Sequence, residues 1–276
     1  MSNAHYWANR NERSAHAKTH TKEMSERYPE DIGACIAGTK IYDGSQHVFE
    51  CVEKESPIQP QAWQTTTDGA LFALPDETLG LKTAVLNFAS YKNPGGMFIE
   101  GSMAQEEALC HGSFLYNVLS STEMAHYYEW NRKNLNRGLY KDRALYTPGV
   151  VFMSSTGEVR RADVLTCAAP NNSMPENVPG IFREEENRAA LTSRMIFIRN
   201  ILHEENVDRV ILGAWGCGVF RQDPGFVSKK FLEVFDGAGI ECIYAVPDQK
   251  TYDVFRREVD LECGHMGFCR DNGDER

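Results

Sequence analysis

The stretch TAVLNFASYKNPGGMFIEGSMAQEEALC, Thr83 to Cys110, reads as a strand, a glycine loop and the start of a helix in succession. Thr83–Ala89 is a short apolar run with β-branched residues, the pattern of a buried strand. Asn93–Gly96 interrupts regular structure with a proline and two adjacent glycines. From Ala104 to Ser121 the chain resumes with Ala108, Leu109, Leu115 and Leu119 on one face at helical spacing. A strand that ends in a glycine loop and feeds a helix is a unit of an α/β fold. Two adjacent acids, Glu106 and Glu107, stand where the loop meets the helix.

The same alternation continues downstream. Ala144–Met153 reads as two extended segments broken around Thr147–Pro148–Gly149, and Ala162–Pro170 as a strand ending in proline. A long helix is expected over about Glu184–Asn206. A strand from Asp208 then runs into a second glycine loop. A helix follows from Pro224, a favoured first-turn residue, to the stop signals Gly237 and Gly239. ECIYAVPD is a core strand, and a short helix is expected at about Lys250–Glu258. Upstream, residues 2–28 suit a polar surface helix ending near Tyr28–Pro29. GTKIYDG and HVFECVE read as short strands turning at Asp43–Gly44, and Pro57 and Pro60 mark a linker. The pattern predicts a three-layer α/β fold with a mixed central sheet. Residues 1–80 are expected as an N-terminal helical extension packed on a core of residues 81–262. A C-terminal tail, 263–276, is expected to fray after about Gly264.

Of 276 residues, 29 are Lys or Arg and 39 are Asp or Glu, a formal charge of −10. That balance gives no global electrostatic footprint for nucleic acid, although a local basic site is compatible with it. No segment has the apolar length of a membrane span, and the first twenty residues contain no apolar signal core. The expectation is a cytoplasmic protein, acting as a monomer without membrane contact. Eight cysteines sit in apolar or glycine-rich surroundings and never as C-x-x-C, so free buried thiols are expected. Cys263, His265 and Cys269 cluster near the end, but their spacing matches no standard zinc finger and no fourth ligand is evident. No metal and no cofactor are expected.

Both glycine loops follow apolar strands, and ligands in open α/β sheets bind outside the carboxyl ends of strands. In the second loop, GAWGCGVFRQDP, Gly213, Gly216 and Gly218 let the backbone turn tightly and approach a ligand. Successive N–H groups in such a turn form an anion nest, which holds a diphosphate without lysines. Its G-x-x-G-x-G spacing is neither a Walker A loop nor a dinucleotide fingerprint, and alone it also fits a structural turn. Consecutive residues on a helix point about 100° apart, so Glu106 and Glu107 are not expected to face each other. The helix dipole lowers their pKa values, while burial and the neighbouring acid raise them. The sequence leaves that contest open.

Asn93–Gly96, the seven residues Phe98–Ala104 and Gln105–Glu106–Glu107 resemble the GGG…QEE signature of the poly(ADP-ribose) glycohydrolases. VLNFA before the loop, TCAAPN at Thr166–Asn171 and LGAWGCGVFRQDP at Leu212–Pro224 are similar to the compact microbial type, a macrodomain with an N-terminal extension. The resemblance runs from about Thr83 to Glu258. It implies metal-free hydrolysis of a ribose O-glycosidic bond, with an ADP-ribose polymer, an ADP-ribosylated protein or an ADP-ribosylated nucleic acid as partner. By motif position it makes Glu107 the acid on the departing oxygen and Glu106 the holder of ribose hydroxyls. Asn87 resembles the asparagine that contacts the distal ribose. Gly95, Gly96, Met97 and Gln105 belong to the same binding set. Gly213 opens the second loop, Gly216, Cys217, Gly218 and Val219 would wrap the diphosphate, and Phe220 packs either on the ligand or in the core. Met97 replaces the third glycine of the signature, which puts polymer cleavage in question more than ADP-ribose binding. His111 reads as a surface or half-buried histidine before a proton partner, and Trp215 as a packing residue before a base stack. A non-catalytic ADP-ribose-binding macrodomain and a metal-dependent nucleotide phosphohydrolase remain as alternatives.

Overall fold

The computed structural model describes residues 9–50, 58–75, 78, 80–173 and 184–268, with side chains through Gly264. Among these residues seven strands form one mixed sheet. They are β1 (Lys40–Asp43), β2 (Gln61–Trp63), β3 (Thr83–Phe88), β4 (Arg143–Met153), β5 (Val159–Cys167), β6 (Arg209–Gly213) and β7 (Glu241–Ala245). Across the sheet they run β1-β4-β5-β3-β6-β7-β2. The β1, β4 and β5 pairings are antiparallel; from β5 through β3, β6 and β7 to β2 the pairings are parallel. β3, where the reading began, is central. Its neighbours β5 and β6 come later in the chain on opposite sides, so its carboxyl end is a topological switch point, the usual ligand crevice of such sheets.

Alternation along β3 divides the core in two. Ala84 and Leu86 pack with Met195 and Ile198 of α7 (Glu184–Glu204), Phe231 of α8 (Pro224–Phe235) and Phe255 of α9 (Gln249–Phe268). Val85 faces the opposite layer, with Ala17 of α1 (Arg10–Arg27), Cys35 of α2 (Pro29–Gly38) and Leu71 of α3 (Thr67–Phe72). Leu109 of α4 (Gln105–His111), Leu115 of α5 (Leu115–Leu119) and Tyr128 of α6 (Ala125–Lys133) join that layer. The molecule is therefore helix, sheet, helix, the three-layer α/β arrangement expected, with the central strands covered on both faces. No helix among the described residues is long and apolar enough to cross a membrane.

Several local expectations are corrected. Among the described residues the hairpin at Asp43–Gly44 does not form. The turn is real, since Gln46 and His47 N–H donate to Asp43 O at 2.9 and 2.8 Å. It sends Phe49 onto Tyr42 and Phe197, while β1 pairs with β4. Residues 51–53 of the expected second strand lie outside the described residues. The helix expected over Ala104–Ser121 is two helices, α4 and α5. At the break Ser113 bridges to Phe152 and Met153 N–H donates to Gly112 O at 2.8 Å. Those backbone groups serve β4 instead of continuing the helix. The two segments around Thr147–Gly149 are one strand, β4, whose register shifts between Thr147 and Val150. Gly149 takes φ 69° at that bulge. The last helix is longer than expected, running through Gly264 to Phe268. The first eighty residues supply α1, α2 and α3 and also both edge strands, β1 and β2.

Candidate functional site

The site is built where β3 ends. Gln105, the first residue of α4, reaches back to that end. Its Nε2 donates to Leu86 O at 2.8 Å and Thr67 Oγ1 at 3.1 Å, and its Oε1 accepts from Phe88 N–H at 2.8 Å. Gln105, placed among the substrate-binding residues by the sequence, spends both ends of its amide on pinning α4 to β3 and α3. Asn87 is fully buried. Its Nδ2 donates to Glu106 Oε1 and to Thr166 Oγ1, both at 3.2 Å, Thr166 being its register partner on β5. Its Oδ1 has no partner among the described residues.

Glu106 and Glu107 are 2% and 5% exposed. Glu106 Oε2 accepts from Ser90 N–H at 2.6 Å. Glu107 Oε1 accepts from Met97 N–H at 2.9 Å, and its Oε2 from Ala104 N–H at 3.0 Å. The second contact is one half of a capping box, since Ala104 offers no side-chain acceptor in return. The two carboxyls converge although their residues are adjacent. A Cβ on Gly96 would lie 2.5 Å from Glu107 Oε1 and 3.1 Å from Glu106 Oε2. Gly96 also takes φ 63°, so the loop closes over both acids only with glycine there. Gly95, at φ 66°, has the Tyr116 ring 2.6 Å from the same point on its own backbone. Met97 is not among the positive-φ residues. It gives its N–H to Glu107 and turns its side chain outward, 40% exposed.

Burial decides the contest over Glu106. Desolvation pushes its carboxyl up to about 8, with the Glu107 charge adding and the Ser90 N–H and Asn87 amide opposing. His111, one turn beyond on α4, places Nδ1 3.1 Å from His16 Nδ1 and packs edge-on to Phe98. Burial first, then His16 and His20, lower it to about 3, so it is neutral at ordinary pH.

The second loop starts at the end of β6, the strand beside β3. A Cβ on Gly213 would lie 2.4 Å from Ala245 O and 3.1 Å from the Phe88 ring, so this glycine lets β6 and β7 pack closely. Gly216, at φ 77°, fits against Ala169 and Gln222. Trp215 is buried and donates from Nε1 to Cys167 O at 3.0 Å, the packing role expected. Gly218 faces open space and Val219 is exposed. Among the described residues, the N–H groups of Gly218, Val219 and Phe220 donate to no backbone carbonyl. Phe220 is half-buried against Tyr140, which stacks on Tyr91 at 4.2 Å. The Cys217 thiol is pushed up to about 12 by burial, then by Asp223.

The model of the microbial-type PARG catalytic domain matches residues 9–155, more than half of the chain, including β3, the loop and α4. The chain belongs to the microbial-type PARG family. Among solved structures it is similar to poly(ADP-ribose) glycohydrolase from Thermomonospora curvata, with 27% identity, 90% of this chain and 100% of that chain covered, and a TM-score of 0.80. The same enzyme bound to the inhibitor ADP-HPD matches with a TM-score of 0.77, at 27% identity over 90% and 99% of the two chains. The Deinococcus radiodurans enzyme in complex with ADP-ribose is 31% identical, covers 86% and 100%, and has a TM-score of 0.72. No curated protein matches the chain.

Within this PARG fold the structure brings Asn87, Gly95, Gly96, Met97, Gln105, Glu106 and Glu107 together at the carboxyl end of β3, by hydrogen bonds and by the close approach of the glycine backbone. The second loop meets that set through Phe88. Thr166, Ser90 and Ala104 were missed as contributors. Thr166 follows from parallel pairing of β3 with β5, but Ser90 and Ala104 act through backbone N–H, which leaves no mark in residue type. Among the described residues no three His, Cys, Asp or Glu side chains gather as metal ligands. The His265 side chain and Cys269 lie outside them.

Proposed function

We propose that the chain hydrolyses ribose O-glycosidic linkages in poly(ADP-ribose) or ADP-ribosylated targets, releasing ADP-ribose by glutamate acid catalysis without a metal. The observation that carries this reading is the pair of buried carboxyls converging under Gly96 at the carboxyl end of β3. The ADP-ribose and ADP-HPD complexes of the similar enzymes support the ligand class.

The unpartnered Asn87 Oδ1 and the Glu106 carboxyl accept ribose hydroxyls. The N–H groups of Gly218, Val219 and Phe220, which donate to no backbone carbonyl among the described residues, receive the diphosphate, so this acidic protein needs no lysine there. At rest the pair's proton sits on Glu106, raised by burial. Substrate hydroxyls that donate to Glu106 favour its charged form, and its proton passes to Glu107, the acid by motif position. Glu107 gives it to the departing oxygen as the C–O electron pair leaves with that oxygen. The ribose passes through an oxocarbenium-like state beside the Glu106 carboxylate. Water adds to the anomeric carbon and returns a proton to Glu107, restoring the pair.

A panel of defined mono- and poly-ADP-ribosyl substrates, assayed for free ADP-ribose with a chelator present, tests the reading. Release from at least one substrate is expected. ADP-ribose binding without release from any substrate identifies a binding module. Release abolished by the chelator removes the metal-free mechanism.

A further inference from the structure

Helix α1 is attached to the molecule mainly by directed polar contacts. Of its 18 residues only Ala17, His20 and Met24 are buried. Its inward side carries donors. Arg10 Nε donates to Glu100 O at 2.8 Å, Arg13 Nε to Gly101 O at 2.7 Å and Ser14 Oγ to Ile99 O at 2.6 Å. Positions 10, 13 and 14 share one helix face, and the carbonyls they meet are consecutive. Gly101 takes φ 75°, and a Cβ there would lie 2.2 Å from Arg10 O and 2.9 Å from Ser14 N. The helix backbone thus rests directly on the loop.

The gripped carbonyls lie between the two N–H groups that hold Glu107. Met97 donates to one Glu107 oxygen and Ala104 to the other. Between them Gly101 N–H donates to Phe98 O and Ser102 N–H to Met97 O, both at 3.0 Å. The loop from Met97 to Ala104 has its two ends on Glu107 and its middle on α1.

We propose that Arg13 and Ser14 are positioning residues for Glu107: by capping the Gly101 and Ile99 carbonyls they fix the loop whose ends orient that carboxyl. The effect on rate rests on the hydrolase reading; the effect on the loop does not. Neither side chain is bonded to Glu106 or Glu107 in the contacts described. Their influence passes through the backbone, and misplacing a catalytic group by about 1 Å lowers rates on the order of a hundredfold.

Ser14→Ala and Arg13→Ala, with Ser14→Thr as the variant that keeps the hydroxyl donor, test the proposal. Two readouts are taken: amide exchange at Met97 and Ala104, and steady-state release of ADP-ribose. In the alanine variants exchange at both amides speeds up. Their kcat falls about tenfold or more, while KM and ADP-ribose affinity stay within about threefold. Ser14→Thr restores both readouts. Alanine variants that fold, bind ADP-ribose and keep wild-type exchange at Met97 and Ala104 overturn the proposal, whatever their melting temperature. If the wild type itself releases no ADP-ribose, the hydrolase reading fails and the exchange measurement alone decides the brace. Faster exchange with unchanged kcat removes the positioning role.

Discussion

Replacing Glu106 with glutamine should make the protein more stable near neutral pH, by an amount that grows with pH. Burial, reinforced by the Glu107 charge, lifts the Glu106 carboxyl from 4.5 to about 8 in the native state. In the unfolded chain the same group titrates near its ordinary value. Between those two pH values the native state holds a proton that the unfolded state has released. The native state binds more protons, so stability falls as pH rises through this window. The slope approaches 1.4 kcal/mol per pH unit, so raising the pH from about 5.5 to about 7.5 lowers wild-type stability by roughly 2–3 kcal/mol at this one site. Glutamine has no proton to lose and the same shape. Its Oε1 keeps the Ser90 N–H contact, and a flip of the Asn87 amide turns Oδ1, which has no donor among the described residues, toward the new amide in place of Nδ2. Urea unfolding of both proteins at several pH values across the window isolates the effect of the pair, because titrating groups that do not interact with Glu106 cancel in the difference. The stability gap should widen by roughly 2–3 kcal/mol with rising pH. Parallel curves would falsify the reasoning, since Glu106 would then be charged in the native protein.

Other consequences follow from individual contacts. Gly96→Ala forces a Cβ to 2.5 Å from Glu107 Oε1 at a left-handed φ. It should lower stability by about 2 kcal/mol or more in chemical denaturation and reduce ADP-ribose release sharply. Gln105→Ala removes two hydrogen bonds between α4 and the end of β3 and a third to Thr67 of α3. A loss of about 2–3 kcal/mol is expected in the same assay, and a loss below about 0.5 kcal/mol would contradict the pinning role. Met97 contributes its N–H to Glu107 while its side chain points outward. Met97→Gly should therefore leave hydrolysis of mono-ADP-ribosyl substrates within about threefold of wild type. Parallel assays on polymer then show whether the side chain obstructs longer chains; equal wild-type and variant rates clear it of that role.

The strand–loop–helix around the acids was legible because each part has a local signature. β3 is a short apolar run, α4 carries helical apolar spacing, and Pro94–Gly96 break the chain between them. β5, β6, β7, α7 and α8 were legible for the same reason. β2 was not, because it is the three residues Gln61–Trp63 whose only support is pairing with β7, far along the chain. The Asp43–Gly44 turn was legible, but its consequence was not. A turn signal does not say which strand the chain meets next, and β1 found β4 while residues 47–50 form no strand. α4 and α5 looked continuous because their apolar spacing persists across Gly112–Phe114, where bridging to Phe152 breaks the helix. In the site, residue types gave the acids and the glycines, but not the reason for Gly96. That glycine makes room for carboxylate oxygens from its own chain. Nor did residue type reveal that Arg13 and Ser14, some 85 residues away, grip the loop carbonyls.

The measurement that bears most directly on the account is ADP-ribose release and ADP-ribose binding by Glu107→Ala, side by side with wild type. Removing the proposed acid should lower kcat on the order of a hundredfold to ten-thousandfold. ADP-ribose affinity should stay within about threefold, because Asn87, Glu106 and the second loop remain in place. Release by Glu107→Ala at the wild-type rate would contradict the account at its centre.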